Sequence, residues 1–168
     1  MQEKGPLVYP LQQVLGVKEK RVDEAQRVVV ERKNALEREE KKLKQVEEAR
    51  DEIKRHYKKK LEQLRNALDS GKTTDKIQMM RLYLDTVEEK LAIEEDRVKK
   101  QQLQVEQAKQ ALEEAQQLWR QRMKEVDKIK EHRKQWLLEA KRDLDREEAK
   151  EQDELGSVMH LSQKNKWD

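Results

Sequence analysis

The chain has 168 residues, of which 45% are charged and only 34% hydrophobic, and it contains no Phe and no Cys. So few apolar residues cannot fill a globular core, but their regular spacing favours long helices over disorder. The net charge of +3 is close to balanced, which argues against a dedicated nucleic-acid-binding protein. No apolar run approaches the ~18 residues of a membrane span, and Met1 opens no signal-type leader. We therefore expect neither membrane insertion nor secretory export, and the lack of Cys fits a reducing cytosol.

The first predicted helix spans residues 10–69. Residues 1–9 include Gly and Pro, so we expect a flexible N-terminal segment. Pro10 suits the first turn of a helix. Gly16 costs a helix about 1 kcal/mol relative to Ala, so we expect the first two turns to fray.

A turn is predicted at residues 70–73, between two long helical stretches. Gly71 can adopt the left-handed conformation that ends a helix, and Thr73 or Thr74 can cap the amides of the next one. The two helices are therefore expected to form a hairpin.

The second predicted helix spans residues 74–155 and is followed by a loose tail over 156–168. It is longer than the first, so residues 137–161 have no partner within the hairpin. Trp136, just before them, would face Val8, which we expect to cover it. Exposed apolar positions on an unpaired helix usually mark a binding partner, a bend-back or fraying.

Apolar residues recur every seven positions in both helices, which predicts a coiled-coil seam. The seams align antiparallel when the residue numbers of facing positions add up to 144. Several layers then place a large side chain against a small one, as close packing requires. We predict an all-α fold, a long antiparallel two-helix coiled-coil hairpin, as a single elongated domain over residues 1–168 with mobile termini. The predicted layers are Ala67/Ile77, Leu64/Met80, Tyr57/Val87, Ile53/Leu91, Val46/Val98, Leu36/Ala108, Val29/Ala115 and Ala25/Trp119.

Polar residues interrupt this seam. The same register places Arg50 opposite Glu94, and a slipped register would leave one of these charges unpaired. We therefore interpret the pair as a pin of the register. In another layer Glu39 faces Val105, so the seam is imperfect.

No catalytic, cofactor-binding or metal-binding residues are predicted. His56, His132 and His160 have no partner at ligand spacing, and we expect them to be solvated. Gly71 and the Lys-Thr that follows lack the earlier glycine of a phosphate-binding loop. A coiled coil also lacks the concave pocket that catalysis needs, so we predict that the protein is not an enzyme.

Two surfaces are candidates for partner binding. Near the turn, more apolar residues occur than a two-helix seam requires, so they either flank the core or form a partner surface. The second helix carries a basic segment, which is either a solvated face or an electrostatic contact with a surrounding ring. The apolar group is Leu61, Leu68, Met79, Leu82 and Tyr83; the basic segment is Arg120, Arg122, Lys124, Lys128, Lys130, Arg133 and Lys134.

Several stretches of the chain resemble the stalk proteins of type III secretion systems. The resemblance covers nearly the whole chain and is closest to the chlamydial-type YscO-like (SctO) proteins, with flagellar FliJ a more distant relative. The stretches that carry it are residues 9–18, 21–25, 56–57, 61–65, 69–75 and 151–156.

This resemblance implies a bacterial cytoplasmic protein, peripheral to the secretion apparatus and connected with virulence. Such stalks bind the secretion ATPase hexamer and connect it to the cytoplasmic ring of the export gate, and they also bind secretion chaperones. The end of the hairpin with both termini would enter the ATPase, where Arg120, Lys124 and Lys128 would meet acidic loops. The turn end, with Tyr57, Leu61 and Tyr83, would face the export gate. No cofactor is implied, and we expect a monomer when the chain is free.

Two other functions stay open at this point. One is an adaptor that escorts secretion chaperones through the apolar residues of 137–161. The other is a generic dimeric scaffold in which this segment pairs with a second copy. A nucleic-acid-binding arm fits least, because the charge is nearly balanced and aromatic residues are few.

Overall fold

A computed structural model describes residues 7–164, with only the backbone of Lys164. Two helices make up almost all of this range: α1, Gln12–Asp69, and α2, Thr74–Lys164. The described residues contain no strand. The predicted all-α helical hairpin with a longer second helix is therefore confirmed. The predicted mobility of residues 1–6 and 165–168 concerns residues outside the described range.

The observed ends of the helices differ from the prediction mainly at the C-terminus. The turn at 70–73 lies where it was predicted, and α1 begins two residues later than expected. The predicted end of the second helix at residue 155 is wrong, because α2 continues through Gly156 to Lys164. A single Gly costs a helix only about 1 kcal/mol and leaves its backbone hydrogen bonds intact, so it need not end the helix.

The turn is closed by backbone hydrogen bonds of the Schellman type. The amide of Lys72 donates to the carbonyl of Ala67 at 3.2 Å, and the amide of Gly71 donates to the carbonyl of Leu68 at 3.3 Å. Gly71 has a φ of 68°, as its predicted left-handed conformation requires. These bonds satisfy carbonyl groups that the end of α1 would otherwise leave unpaired.

The predicted threonine cap of α2 takes a different form. The backbone carbonyl of Thr73 accepts a hydrogen bond from the amide of Ile77 at 3.2 Å. Within the described part of the chain, neither the Thr73 nor the Thr74 side chain forms a hydrogen bond. The helix therefore starts from Thr73 through its backbone.

The chain divides into two compact units, where the sequence suggested one domain. We call residues 26–118 the turn unit. The rest of the described chain, up to residue 25 and from residue 119, is the terminal unit. Buried apolar residues of the turn unit are Leu64, Ala67, Leu84, Val87, Val98, Val105 and Ala115; those of the terminal unit are Tyr9, Leu15, Ala25 and Val126.

The buried side chains agree closely with the predicted seam. Six of them belong to the predicted layers, and the remaining members of those layers are half-buried. The six are Ala25, Leu64, Ala67, Val87, Val98 and Ala115. Leu15 is only 2% exposed, and α1 runs unbroken through the neighbouring Gly16. Narrow burial of this kind is what two helices can provide, since each contributes one stripe of apolar side chains.

Polar residues in the seam of the turn unit pair differently from the prediction. Arg50 and Glu94 are both half-buried, but Arg50 forms an ion pair with Asp51 at 2.9 Å and Glu94 forms one with Arg97 at 2.7 Å. Each charge thus finds a partner on its own helix, where a neighbour is within reach without crossing the seam. Arg50 and Glu94 therefore pair with neighbours on their own helices, whereas the predicted register pin paired them with each other.

Glu39 forms a polar contact across the seam that the sequence did not predict. The side-chain amide of Gln101 donates to the carboxylate of Glu39 at 2.7 Å and to its backbone carbonyl at 3.0 Å. The ammonium of Lys42 also donates to this carboxylate at 2.7 Å. Both hydrogen bonds to the carboxylate lower the pKa of Glu39, and the one from Lys42 has the larger effect.

Replacing Gly71 tests the turn. We expect Gly71→Ala to lower the free energy of unfolding by about 1 kcal/mol, since the left-handed conformation is costly for a residue with a Cβ. Urea unfolding followed by circular dichroism measures this loss. The matched control is Gly16→Ala, which lies within α1 with open space around the added Cβ and should stabilise the protein by up to ~1 kcal/mol. Equal effects of the two substitutions would contradict the role of Gly71.

Candidate partner-binding surfaces

We call the predicted partner surface near the turn the turn-end surface; it lies in the turn unit, and its six residues divide into two groups. They are Tyr57, Leu61, Leu68, Met79, Leu82 and Tyr83. Met79 and Leu82 are 71% and 67% exposed, and Leu68 and Tyr83 are also exposed. Tyr57 and Leu61 are half-buried. The exposed members therefore form the accessible part of this surface, and the half-buried ones contribute less of their area to it.

Tyr83 makes several specific contacts within the turn-end surface. Its hydroxyl forms a hydrogen bond of 2.9 Å with Nε2 of His56, and the two rings meet edge to face at 6.0 Å between centroids. The ammonium of Lys60 lies 5.6 Å from the centre of the Tyr83 ring, within the range of a cation–π contact. These contacts fix an exposed aromatic ring, which is a frequent anchor at protein interfaces.

A shallow depression opens beside Tyr83. Its volume is about 190 Å³, and Met79 and Lys60 lie on its wall. Methionine side chains adapt their shape to a partner, whereas a fixed tyrosine gives that partner a defined contact. The depression therefore suits an apolar side chain of another protein better than a small polar substrate.

The basic segment lies in the terminal unit, and its members differ in availability. Arg122 is half-buried and donates to Glu125 at 3.4 Å, so its charge is partly neutralised within α2. Lys124, Lys128 and Arg133 are exposed, and none of them forms an ion pair with another described residue. Arg120 is also exposed. Lys134 is likewise exposed and forms no ion pair with another described residue, so the structure leaves four cations of this segment open to a partner.

Two ion pairs join α1 to α2 within the basic segment. Lys18 donates to Glu125 at 2.8 Å, and Glu19 and Lys130 lie 3.4 Å apart. The hydrogen bond from Lys18 lowers the pKa of Glu125, with smaller contributions from the charges of Lys18 and Arg122. These pairs hold the two helices of the terminal unit in register beside the exposed cations.

Tyr9 attaches the start of the described chain to α2. It is only 4% exposed, its hydroxyl forms a hydrogen bond of 2.7 Å with Nδ1 of His132, and its ring meets Trp136 edge to face at 5.7 Å. The prediction that Val8 covers Trp136 is wrong, because Val8 is 71% exposed and Tyr9 makes that contact. The heptad repeat could not predict the contact between Tyr9 and Trp136, because Tyr9 precedes α1.

The contacts of two histidines also correct the sequence analysis. His56 and His132 were expected to be simply solvated, yet each forms a hydrogen bond with a tyrosine hydroxyl. The described residues contain no cluster of three or more side chains suited to hold a metal ion.

A model of the YscO-like protein family matches residues 6–166. The chain belongs to the YscO-like family. Membership of this family makes the chain a type III secretion stalk protein. Proteins of this family are structural components of the secretion system. The resemblance predicted from the sequence is confirmed.

A solved structure agrees with this assignment. The YscO-like chain superposes with a TM-score of 0.91 on CT670 from Chlamydia trachomatis, which is described as a YscO homologue. The two sequences are 41% identical, and the match covers 95% of this chain and 99% of CT670. No curated protein matches the sequence at comparable significance. Within residues 7–164 of the YscO-like chain, neither helix has a stretch apolar enough to cross a membrane.

Substitutions of Tyr9 test its attachment to α2. We expect Tyr9→Phe to lower the free energy of unfolding by about 1 kcal/mol, through loss of the hydrogen bond to His132. Tyr9→Ala should lower it by about 3 kcal/mol, because the buried ring is lost as well. Urea unfolding measures both effects. Val8→Ala is the neighbouring control and should change the stability by less than ~0.5 kcal/mol; a Tyr9→Ala effect as small as this would contradict the attachment.

Removing the Lys18 ammonium tests the ion pair with Glu125. The folded state favours the charged Glu125, so the pair stabilises the protein above the ordinary pKa of 4.5 and this stabilisation is lost as the pH falls through the lowered pKa. We expect Lys18→Met to raise the pKa of Glu125 towards 4.5, which NMR titration of the Glu125 side chain measures. Lys20→Met, an exposed neighbour, is the control and should leave this pKa unchanged. The same pKa in both variants would contradict the pair.

Proposed function

We propose that this chain is the central stalk that binds the secretion ATPase hexamer and couples it to the export gate at the cytoplasmic side of a type III secretion system. The observation that carries the proposal is the match of the YscO-like family to residues 6–166. The two candidate surfaces support it, because they lie in different units and differ in chemistry. The chain acts in this proposal by binding alone, without catalysis or cofactor.

The ATPase contact is assigned to the basic segment of the terminal unit. Lys124, Lys128 and Arg133 are exposed and form no ion pair within the described residues. Acidic loops of a ring can therefore bind them without breaking an existing ion pair. Their long side chains keep the contact weak and adaptable, and it should weaken with salt. Arg122 contributes less, because Glu125 already holds it.

The export-gate contact is assigned to the turn-end surface. Met79, Leu82 and Leu68 offer apolar area, and Tyr83 offers a fixed aromatic anchor. Apolar and aromatic residues supply most of the binding energy at protein interfaces. This surface therefore suits a contact that is less sensitive to salt than the contact with the ATPase.

A single stalk within a sixfold ring provides a physical route to coupling. Because the stalk has no sixfold symmetry, its contacts differ from subunit to subunit. A contact that is stronger in one nucleotide state shifts that subunit towards this state. The stalk thus stimulates hydrolysis by contributing differential contacts to the ring.

A second function, that of an adaptor for secretion chaperones, rests on a separate observation. The last turns of α2 expose a series of apolar side chains that no described residue covers. They are Leu155, Val158, Met159 and Leu161. The adaptor function becomes the better explanation if the folded chain neither binds nor stimulates the ATPase.

Charge reversal in the basic segment tests the stalk function. We expect Lys124→Glu with Lys128→Glu to abolish stimulation of the cognate secretion ATPase, because acidic loops would then face like charges. ATP hydrolysis, titrated with the stalk at moderate and high salt, measures this. Wild-type stimulation should weaken at high salt.

The control separates the two surfaces. Met79→Ser with Leu82→Ser changes only exposed side chains of the turn unit, so it should retain ATPase stimulation and lose binding to the export-gate ring. Unchanged stimulation by a folded Lys124→Glu, Lys128→Glu variant would remove the assignment of the basic segment. Circular dichroism checks that each variant is folded.

A further inference from the structure

Two depressions of opposite charge adjoin on the terminal unit. The basic depression has a volume of about 480 Å³ and lies on α2, with Leu137 and Leu138 as its apolar part. The acidic depression has a volume of about 360 Å³ and is lined by residues of both helices. Lys130 belongs to the lining of both, so the two depressions meet at this residue. We call them together the bipolar groove.

The basic depression offers free cations and contains no carboxylate. Its charged lining residues are Lys130, Arg133, Lys134 and Lys141. The last three are exposed, and none of them forms an ion pair with another described residue. Leu138 is exposed as well, and Leu137 is half-buried. A partner that brings carboxylates beside apolar side chains therefore complements this depression.

The acidic depression combines carboxylates with an apolar lining. Asp23 and Asp127 are exposed and form no ion pair with another described residue. Val126, in the same lining, is buried, and Val22 is half-buried. A Lys or Arg side chain of a partner can therefore pair with Asp23 or Asp127 while its aliphatic stem packs on the valines.

The order of these charges narrows the class of partner. Nucleic acids and anionic membranes carry one sign of charge, so the acidic depression would repel them from the basic depression beside it. The lining extends along α2 from Met123 to Lys141, which is about 27 Å at 1.5 Å per residue. A helix of another protein can present cations, apolar side chains and carboxylates in sequence over this length.

The basic depression lies on another side of α2 than Lys124 and Lys128. At about 100° per residue, Lys141 lies within about 20° of Lys134 around the helix axis, but at least about 100° from Lys124 and Lys128. The bipolar groove therefore stays accessible while those two lysines contact a ring.

We propose that the bipolar groove binds an amphipathic helix of another protein. The basic turn of this helix enters the acidic depression, and its leucines and carboxylates enter the basic depression. A helix suits the groove because Lys130, Lys134, Leu137 and Lys141 repeat at spacings of four and three, which a second helix can match. Ion pairs supply much of the contact, so binding weakens with salt. Such binding goes beyond the stalk function and does not depend on it.

Titration of a fluorescein-labelled peptide with the full chain tests the groove. The probe is a helical peptide of ~18 residues, with Lys in its first turn and with Leu and Glu on one face of the other turns. At ~0.1 M salt its fluorescence anisotropy should rise with a Kd between ~10 and ~100 µM. Lys134→Glu with Lys141→Glu should weaken binding at least about tenfold, as should Asp23→Lys with Asp127→Lys. Both variants keep Arg133, which is also assigned to the ATPase contact.

Matched controls separate the groove from general attraction between charges. Lys124→Glu with Lys128→Glu makes the same change in charge on the same helix outside the groove, and it should bind the probe like the wild type. A peptide of the same composition, with its Lys residues placed among the Glu residues, should bind at least about tenfold more weakly. Circular dichroism checks that each variant is folded.

Three outcomes would overturn the proposal. The first is equal binding of the two peptides, and the second is a loss of binding in the Lys124→Glu, Lys128→Glu variant as large as in the Lys134→Glu, Lys141→Glu variant. The third is a probe that does not bind the wild type, whether vesicles of anionic phospholipid or a second copy of the chain are found to occupy the groove instead.

Discussion

Each helix of this protein can bury only one narrow stripe of side chains, and the rest of the structure follows from that constraint. The seam takes up the apolar residues that recur every seven positions, and most other positions remain in contact with water. Stability therefore depends on a thin core together with a few fixed contacts at its ends. The turn bonds around Gly71 and the attachment of Tyr9 to α2 are such contacts.

The same constraint places the candidate binding residues on exposed faces. Most side chains of residues 7–163 are open to water, because each helix buries only its seam. What the chain offers is two helical faces with different chemistry in two units: exposed cations in the terminal unit and an apolar, aromatic surface in the turn unit. Membership of the YscO-like family gives these faces a biological setting.

The sequence predicted what periodicity determines and missed what individual side chains decide. Heptads located the buried Val87, Val98 and Val105, and the turn chemistry placed Gly71 correctly. Periodicity carries no information about which neighbour a long polar side chain chooses, so the partners of Arg50 and Glu94 were not foreseen. The contacts of His56 and His132 were missed for the same reason, and the helix extends past Gly156 because one weak residue cannot end so long a run of good helix formers. The sequence also did not reveal that Lys124 and Lys128 are open to a partner whereas Arg122 is held by Glu125.

The position of the tryptophans has a consequence for optical spectroscopy. Of the three tryptophans, Trp119 and Trp136 belong to the terminal unit, Trp167 lies outside the described residues, and the turn unit contains none. Trp136 has Tyr9 against its ring. Intrinsic fluorescence excited at the indole band therefore does not monitor the turn unit, whereas far-ultraviolet ellipticity monitors the helices of both units. Comparing the two signals during a single melt distinguishes one concerted transition from separate loss of the two units, without attaching any label to the chain.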